Sequence, residues 1–450
     1  MKQNPRQDVQ GALSRRCFLQ LGGSAYLGTA LPQLGRLAQA APNPGNKSVI
    51  LVLLTGGCSQ LDSFDPKPDA PAEIRGEFST IPTVLPGVRF CEHLPLLASR
   101  MNKWALVRSM SHEHNGHLPA THRILTGSPM PVERGSDLDN VLSRRDWPCY
   151  ASGLAIARPR FDGVPSGVTL PHALIEGPLT WPGQHGGFMG PRHDPLLVTQ
   201  DPNSPSFRMD TLALAEGTTS ERLDERKNLL AALDCVENPA KVHQDAALRM
   251  LTSDKVATAF RMQNEPERNR DRYGRNQFGQ TLLLARRLVQ AGIPMIQANM
   301  GIVQSWDTHV DNWGRLKNRL LPELDKALAG LMDDLTSEGM IENTLVVVSG
   351  EFGRTPRVST LPGEKIPGRD HWAAVYSALF AGAGVKGGQV IGKSDSKGAY
   401  PVTPSFTPYD LGATVYHALG LASETEITDS QNRPMFLNRG RVMETLFGAG

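Results

Sequence analysis

The chain of 450 residues has little excess charge, few cysteines and no long apolar run. Its 47 basic and 45 acidic residues give a formal net charge of +2, which excludes the strongly basic surface of a nucleic-acid-binding protein. No apolar run reaches the roughly 18 residues that a membrane span needs. Internal repeats and Ser/Gly linkers are also lacking, and we therefore expect one large globular unit.

Cysteine is too scarce and too scattered to form a structural framework. The chain has 5 cysteines, and their spacing matches neither a disulfide framework nor a zinc motif. Pairing among Cys58, Cys91, Cys149 and Cys235 stays open, because an oxidising compartment permits disulfides without requiring them. Glycine and proline, at 44 and 34 residues, are abundant instead and predict long irregular loops.

The first forty residues have the composition of a targeting segment. Two arginines, Arg15 and Arg16, precede a modestly apolar stretch over 19–37, which ends in a small-x-small sequence at 38–40. This order resembles a twin-arginine export signal. It predicts that residues 1–40 are a signal peptide and that the Tat translocase carries the folded protein to the periplasm or outside the cell. An amphipathic helix with an incidental arginine pair is the alternative.

Short apolar runs alternate with helical patterns along the rest of the chain. The runs read as strands buried on both faces of a parallel sheet, and the segments between them carry apolar residues at helical spacing. The sequence therefore predicts an α/β fold with a largely parallel, doubly wound sheet flanked by helices. We assign a single domain to residues 48–440, with a loop-rich and helical insertion at about 130–275. The predicted strands include 48–54, 104–108, 293–299 and 345–349, and the predicted helices include 278–291 and 316–338.

Four groups of polar residues follow predicted strands, which is where open α/β sheets bind ligands. The first group contains Asp62 and Asp65, in the loop after the first strand. Two carboxylates in such a loop could hold a metal ion. An Asx turn around Asp65-Pro66 explains the same residues equally well, so the sequence leaves both interpretations open.

The second group holds four histidines within eleven residues: His112, His114, His117 and His122. Neutral imidazole is the commonest ligand of transition metals, and histidines gathered at a strand end can share one ion. This density favours a metal site. A solvated polar loop is the alternative interpretation.

Asp307 and His309 form the third group, just before a long predicted helix. At this spacing both side chains could face one ion. Helix capping is the alternative, since the carboxylate of Asp307 or Asp311 could accept hydrogen bonds from the free amides of the first turn. The two roles are compatible because they can involve different side chains.

The fourth group begins with Glu351, directly after a predicted apolar strand. A buried carboxylate there needs a partner, because an unpaired buried charge is very costly. Asp370 and His371 offer either two ligands or a carboxylate that fixes the histidine tautomer. Arg354 and Arg369 could clamp an anion, and surface salt bridges are the alternative for both arginines.

Several segments resemble the sulfatase branch of the alkaline-phosphatase superfamily. The stretch 324–353 is similar to the helix, turn and apolar strand that deliver a metal pair in that family, with Glu351 at the position of the aspartate and Phe352 at that of the Asn or His. The stretch 117–127 is similar to the sulfatase signature. Together with 56–68, these residues resemble the exported bacterial family called domain of unknown function 1501.

The resemblance implies an alkaline-phosphatase-like fold and a metal-dependent hydrolase of a phosphate or sulfate ester. The substrate would be an anionic small molecule or a polysaccharide ester. His117 stands where the family carries its nucleophile, so a metal-activated water, Thr121 or Ser111 is expected to replace that group. The candidate catalytic residues are His117, Thr121 and Arg354.

The resemblance also implies a divalent metal cofactor. Mixed histidine and carboxylate ligands suit zinc or manganese better than calcium. The alternative is an exported binding or structural protein that keeps the fold without catalysis. The expected metal ligands are Asp62, His117, Asp307, His309, Glu351 and His371.

Overall fold

The computed structural model of the protein describes residues 47–131, 144–160, 162–177, 179–209, 222, 225, 254–422, 424–429 and 431–448. The predicted signal peptide, residues 1–40, lies outside the described residues. The strands in this part of the chain are β1 (Ser48–Leu53), β2 (Thr80–Pro82), β3 (Arg89–Cys91), β4 (Ala105–Met110), β5 (Gly167–Leu170), β6 (Ile175–Glu176), β7 (Leu179–Thr180), β8 (Leu196–Leu197), β9 (Met295–Asn299), β10 (Thr344–Ser349), β11 (Gly353–Arg354), β12 (His371–Trp372), β13 (Tyr376–Ala381), β14 (Gln389–Ile391), β15 (Glu426–Thr428) and β16 (Pro434–Phe436).

The α-helices of the same residues vary in length from one turn to nearly five. They are α1 (Ala72–Arg75), α2 (Pro95–Ala98), α3 (His117–Thr126), α4 (Tyr150–Ala157), α5 (Asp254–Phe260), α6 (Glu267–Tyr273), α7 (Gln277–Gln290), α8 (Asn312–Arg315), α9 (Leu321–Ser337) and α10 (Pro408–Ala418). A π-helical turn, Leu316–Leu320, joins α8 to α9. Within the described ranges, no helix combines the length and the apolar character needed to cross a membrane.

In the described ranges, the main sheet has eight strands in the order β14-β4-β13-β10-β1-β9-β5-β8. β1 pairs in parallel with β10 on one side and β9 on the other, and β5 continues the parallel pairing beyond β9. β13 runs antiparallel to both of its neighbours. The predicted α/β fold with a largely parallel sheet is therefore confirmed. β5 and β8, which come from within residues 130–275, belong to this same sheet.

Both faces of the central strand β1 are buried. Ile50 and Val52 point into one apolar cluster, whereas Val49 and Leu51 point into another, as the two-residue period of a strand requires. α7 and α9 cover the first face, and α3, α4 and α10 cover the second. Because β1, β5, β9 and β10 run parallel, the loops that follow them meet at one edge of the sheet.

Local sequence signals explain where two of the long helices begin. The side chain of Asn276 accepts a hydrogen bond from the backbone N–H of Gly279 and caps α7. Thr407 and Asp410 form a capping box at the start of α10. Each such cap contributes about 1 kcal/mol to helix stability by satisfying free backbone N–H groups of the first turn.

Three of the cysteines lie in the interior as thiols. Cys58, Cys91 and Cys149 are buried and free, and Cys235 lies outside the described residues. Burial raises the pKa of Cys58 to about 12, because the thiolate form loses its hydration there. The Cys58 thiol therefore stays protonated and unreactive at neutral pH.

Candidate metal centre

Three loops bring potential metal ligands together at the carboxyl edge of the sheet. His117 begins α3 after β4, Asp307 lies in the loop between β9 and α8, and His371 begins β12 after β10. One ligand atom from each of these residues lies within 4.8 Å of the other two. Among the described residues, this is the group of His, Cys, Asp and Glu side chains that could hold a metal ion.

Asp307 is the centre of the group. Its Oδ2 lies 3.3 Å from Nε2 of His117, and its Oδ1 lies 3.2 Å from Nε2 of His371. His309 joins the group, with its Nε2 3.1 Å from Asp307 Oδ1 and 2.9 Å from Nε2 of His371. Three imidazoles therefore direct the same nitrogen, Nε2, towards one carboxylate.

The other ring nitrogen of each imidazole has an acceptor of its own. With a metal ion at Nε2, these acceptors would take the Nδ1 proton of each neutral ring, and Nε2 would keep an unshared electron pair for the ion. This is the arrangement in which metal-binding histidines are held by outer partners. The Nδ1 acceptors are Glu351 Oε1 at 2.9 Å from His117, Asp370 Oδ1 at 2.7 Å from His309, and the Asn115 carbonyl at 2.7 Å from His371.

Close approach of these acceptor atoms requires a cation or a proton between them. Burial by itself lowers the pKa of His117, but its hydrogen bonds to Asp307 and Glu351 outweigh burial and raise that pKa to about 9. Without an ion, burial opposes ionisation of Asp307, yet its contacts with the three histidines and with Arg354 hold its pKa far below the usual range. The site therefore attracts positive charge strongly.

Glu351 is held by the turn that follows β1. Its side chain is 1% exposed, and its two carboxylate oxygens accept the backbone N–H of Gly56 at 2.9 and 3.1 Å. Gly56 has φ +109°, and a Cβ there would lie 2.6 Å from the backbone nitrogen of Asp307. A glycine is therefore required where this turn passes between Glu351 and Asp307.

The loop that carries Asp307 is fixed by Arg315 of α8. Its guanidinium donates hydrogen bonds to the carbonyls of Asp307 at 2.7 Å, Ser305 at 2.7 Å and Gln304 at 2.9 Å. Gln304 adopts φ +66°, a left-handed conformation that costs energy for a non-glycine residue. The three hydrogen bonds hold this strained segment in place and set the position of Asp307.

Arg354 lies beneath the group rather than at its surface. It is fully buried, and it forms an ion pair with Oδ1 of Asp307. Its other donors reach the carbonyls of Gly57 at 3.0 Å and Arg369 at 3.2 Å. All of these partners lie in the protein interior, and the guanidinium partly neutralises the negative charge of Asp307.

Asp62 belongs to a separate, fully hydrogen-bonded cluster. Arg369 donates to its Oδ2 at 2.7 Å, Asn312 donates to the same oxygen at 3.0 Å, and Trp313 Nε1 donates to Oδ1 at 3.0 Å. Asp62 and Arg369 are both buried, at 1% and 0% exposed. The structure therefore pairs these two sequence candidates with each other, not with the histidines.

The remaining histidines of the 112–122 segment point elsewhere. His112 Nε2 lies 2.7 Å from the carbonyl of Glu351, and burial lowers the pKa of His112 to about 4. His122 is fully buried and accepts the backbone N–H of Trp147 at Nε2, and burial lowers its pKa to about 3. His114 lies 2.9 Å from Glu113.

Thr121 and Asp65 also lie inside the protein. Thr121 follows His117 by one turn of α3, and its side chain is buried. Asp65 forms ion pairs with Lys67 at 2.9 Å and Arg108 at 3.2 Å. The sequence alone did not separate Thr121 and Asp65 from the residues that meet around Asp307.

Two supporting residues were missed at the level of sequence. Asn115 acts through its backbone carbonyl, which no residue type can reveal. Arg315 acts through three carbonyls of a loop whose path is known only in three dimensions. The sequence shows only that Arg315 follows Asp307 by eight residues, and this spacing does not predict a contact.

The chain is an α/β protein with a largely parallel sheet. At the carboxyl edge of this sheet, histidine and aspartate side chains form a cluster that could hold a metal ion. Residues 46–447 match the family described as Protein of unknown function (DUF1501), and the chain belongs to that family. No curated protein matches the sequence.

Several solved structures are similar to this chain. The PsFucS1 sulfatase from Pseudoalteromonas sp. is 12% identical, with a TM-score of 0.41, over 88% of this chain and 72% of that one. The phosphonate monoester hydrolase SpPMH from Silicibacter pomeroyi is 14% identical, with a TM-score of 0.34, over 90% and 77%. The alkaline phosphatase from the Antarctic bacterium TAB5 is 12% identical, with a TM-score of 0.36, over 84% and 98%.

Proposed function

We propose that the protein is a metal-dependent hydrolase of phosphate or sulfate esters that binds one divalent ion at Asp307. The proposed ligands are His117, Asp307, His309 and His371. One observation carries the metal site: three Nε2 atoms face a single carboxylate while each Nδ1 is held by another acceptor. Outer hydrogen bonds of this kind orient metal-binding histidines in proteins.

The spacing of the donor atoms fits a small transition-metal ion. Ligand atoms bound at about 2.0–2.1 Å in a tetrahedral zinc site are roughly 3.3 Å from one another. Asp307 Oδ1 lies 3.1 Å from Nε2 of His309 and 3.2 Å from Nε2 of His371, and Asp307 Oδ2 lies 3.3 Å from Nε2 of His117. The two nitrogens of His309 and His371 are 2.9 Å apart. Three imidazole nitrogens and a carboxylate oxygen suit zinc or manganese better than calcium, which prefers oxygen ligands.

The residues of this chain divide into ligands and supports. Glu351 holds the ring of His117 through Nδ1, and Asp370 does the same for His309. Arg354 balances part of the charge on Asp307. We assign no ligand role to Asp62, because its oxygens already accept hydrogen bonds from four side chains.

A bound divalent ion would supply Lewis acidity to an ester oxygen. His309 and His371 are partly exposed, so an ester would approach the centre from their side. Thr121 is buried, and we therefore propose water rather than its hydroxyl as the nucleophile. The choice of phosphate or sulfate esters, including polysaccharide esters, rests on the resemblance of residues 117–127 and 324–353.

A protein that binds metal without catalysis is the second candidate. The burial of Thr121 and Arg354 favours it, because neither side chain can contact an ester without rearrangement. In that case the exported protein would keep the fold and the ion for binding or for structure.

Metal content and turnover together test the proposal. Purified protein, stripped with a chelator and then dialysed against Zn²⁺ or Mn²⁺, is expected to hold about one equivalent, and His371→Ala is expected to hold much less. His172→Ala is the matched control, since His172 contacts Gln277 outside the cluster. Nitrophenyl phosphate and nitrophenyl sulfate are the substrates to assay. Metal without turnover would favour the second candidate, and an absence of bound metal would refute both.

We also propose export by the Tat route, on the basis of Arg15 and Arg16 and the segment that follows them. Residues 1–45 fused to a reporter are expected to reach the periplasm only when the Tat translocase is present. Replacing both arginines with lysine should abolish export. Unchanged export of the lysine variant would contradict the assignment.

A further inference from the structure

We infer that Phe352 is a positioning residue for the metal centre, because its ring packs against two of the ligand imidazoles at once. The inference rests on the proposed function. The ring centroid of Phe352 lies 4.6 Å from that of His371 and 5.0 Å from that of His117, with interplanar angles of 34° and 38°. The Phe352 side chain is 1% exposed, so it acts through these contacts and not through solvent.

The turn after β1 leaves space for this ring. Gly57 has φ +86°, and a Cβ at that position would lie 2.6 Å from Cδ2 and 2.7 Å from Cε2 of Phe352. Real Cβ atoms do not approach a ring so closely, so any other residue would displace Phe352. The backbone of the chain is therefore shaped around the aromatic side chain.

The hydrogen bonds alone do not fix the planes of the ligand rings. A bond at Nδ1 restrains one point of an imidazole, and the ring can still tilt about the line to its acceptor. Packing against a flat aromatic face removes that tilt. His117 has a second aromatic neighbour in Trp181, at 5.0 Å and 35°, so we expect His371 to depend on Phe352 more strongly.

Phe352 also lies between two other supports. Glu351 precedes it and holds His117 through Nδ1. Arg354 follows and pairs with Asp307, and its guanidinium carbon lies 5.8 Å from the Phe352 centroid. Three of the four residues over 351–354 thus support three ligands while supplying none of them in our assignment.

Variants of Phe352 test the inference with Co²⁺ as the probe. Phe352→Met and Phe352→Leu both replace the flat ring with a smaller, non-aromatic side chain, and the flexible Met side chain fills the vacated space better. Both are expected to lower Co²⁺ affinity about tenfold or more, as loss of an outer partner does, and to shift the visible bands of the bound ion. Phe380→Leu is the matched control, because Phe380 is also fully buried and lies in β13. It should lower the melting temperature and leave affinity and spectrum unchanged.

The outcomes separate this inference from the proposed function. If the unmodified protein binds one Co²⁺ and Phe352→Met keeps the same affinity and spectrum, Phe352 is only a core residue and the inference is wrong. If the unmodified protein binds no Co²⁺, the proposed metal site is itself refuted, and the inference with it. Should Phe352→Leu fail to fold, the Met variant decides.

Discussion

Asp307 and Asp62 are two mostly or wholly buried aspartates on loops of the same sheet edge, yet their surroundings are opposite. Every close side-chain partner of Asp62 is a hydrogen-bond donor, including Arg369, Asn312 and Trp313. Asp307 instead faces three imidazole nitrogens, each of which can carry either a proton or an unshared electron pair for a metal ion. The first carboxylate is satisfied by the protein, and the second requires positive charge beyond its contact with Arg354.

This difference shows that residue type does not by itself identify a metal ligand. Both aspartates follow strands and both were expected to bind the ion. What separates them is whether the neighbouring atoms donate or accept, because a carboxylate surrounded by donors has no electron pairs left for a metal. Substitutions at or near each aspartate alter one of these environments at a time.

Asp62→Asn is expected to have the largest effect on stability. It leaves the buried guanidinium of Arg369 without its charged partner, which typically costs about 3–5 kcal/mol of unfolding free energy. Urea unfolding of the metal-free protein measures this loss. Metal stoichiometry should not change, and a variant that lost the ion while keeping its stability would instead place Asp62 among the ligands.

Asp307→Asn is expected to lower Zn²⁺ affinity by more than about a hundredfold, beyond the scale seen for outer partners. The amide removes the charge and replaces one oxygen by an NH₂ group that would donate to an imidazole Nε2. Calorimetric titration measures the affinity, with Asp311→Asn as the control on the same loop. Retention of one tightly bound equivalent by Asp307→Asn would show that the cluster is not a metal site.

Glu351→Gln is expected to have a smaller effect, a loss of Zn²⁺ affinity of about tenfold. Glutamine keeps an oxygen that can accept the Nδ1 proton of His117, but it removes the charge that makes the ring a stronger donor to metal. Competition with a chromophoric chelator is sensitive enough to measure this change. A complete loss of binding would indicate that Glu351 contacts the ion directly.

Arg315→Ala is expected to weaken metal binding the least, by less than about tenfold. Its three hydrogen bonds reach carbonyls and set only the path of the loop to Asp307. Arg319→Ala is the matched control, since Arg319 lies one turn further on, is 62% exposed, and is 3.7 Å from Glu323. If the two variants bind Zn²⁺ equally well, the loop holds Asp307 without Arg315.

The sequence predicted the fold better than it predicted the arrangement of the candidate site. The apolar runs that form β1, β9 and β10 indicated a parallel sheet, because continuous burial on both faces leaves little other choice. The same pattern placed the loops with His117, Asp307 and His371 at one edge. The pairing of Arg369 with Asp62 could not be predicted, because it depends on how the loop over 355–370 returns to the turn after β1.

The direction in which each side chain points could not be predicted from the sequence, for a similar reason. Spacing placed Glu351 beside the histidines but did not show which nitrogen of His117 it would contact. The Asn115 carbonyl and the ring of Phe352 act through backbone path and packing. These features arise only when loops distant in sequence are packed together.

The proposed ligands are widely separated along the chain: His117 and Asp307 are 190 residues apart, and Asp307 and His371 are 64 apart. The unfolded chain therefore offers an ion only isolated, weak donors, and the shared site exists once the long-range strand pairings have formed. An ion that binds the native state and not the unfolded chain shifts the folding equilibrium towards the native state. We expect the ion to enter late in folding, so the metals available in the compartment where the chain folds would determine which one it carries.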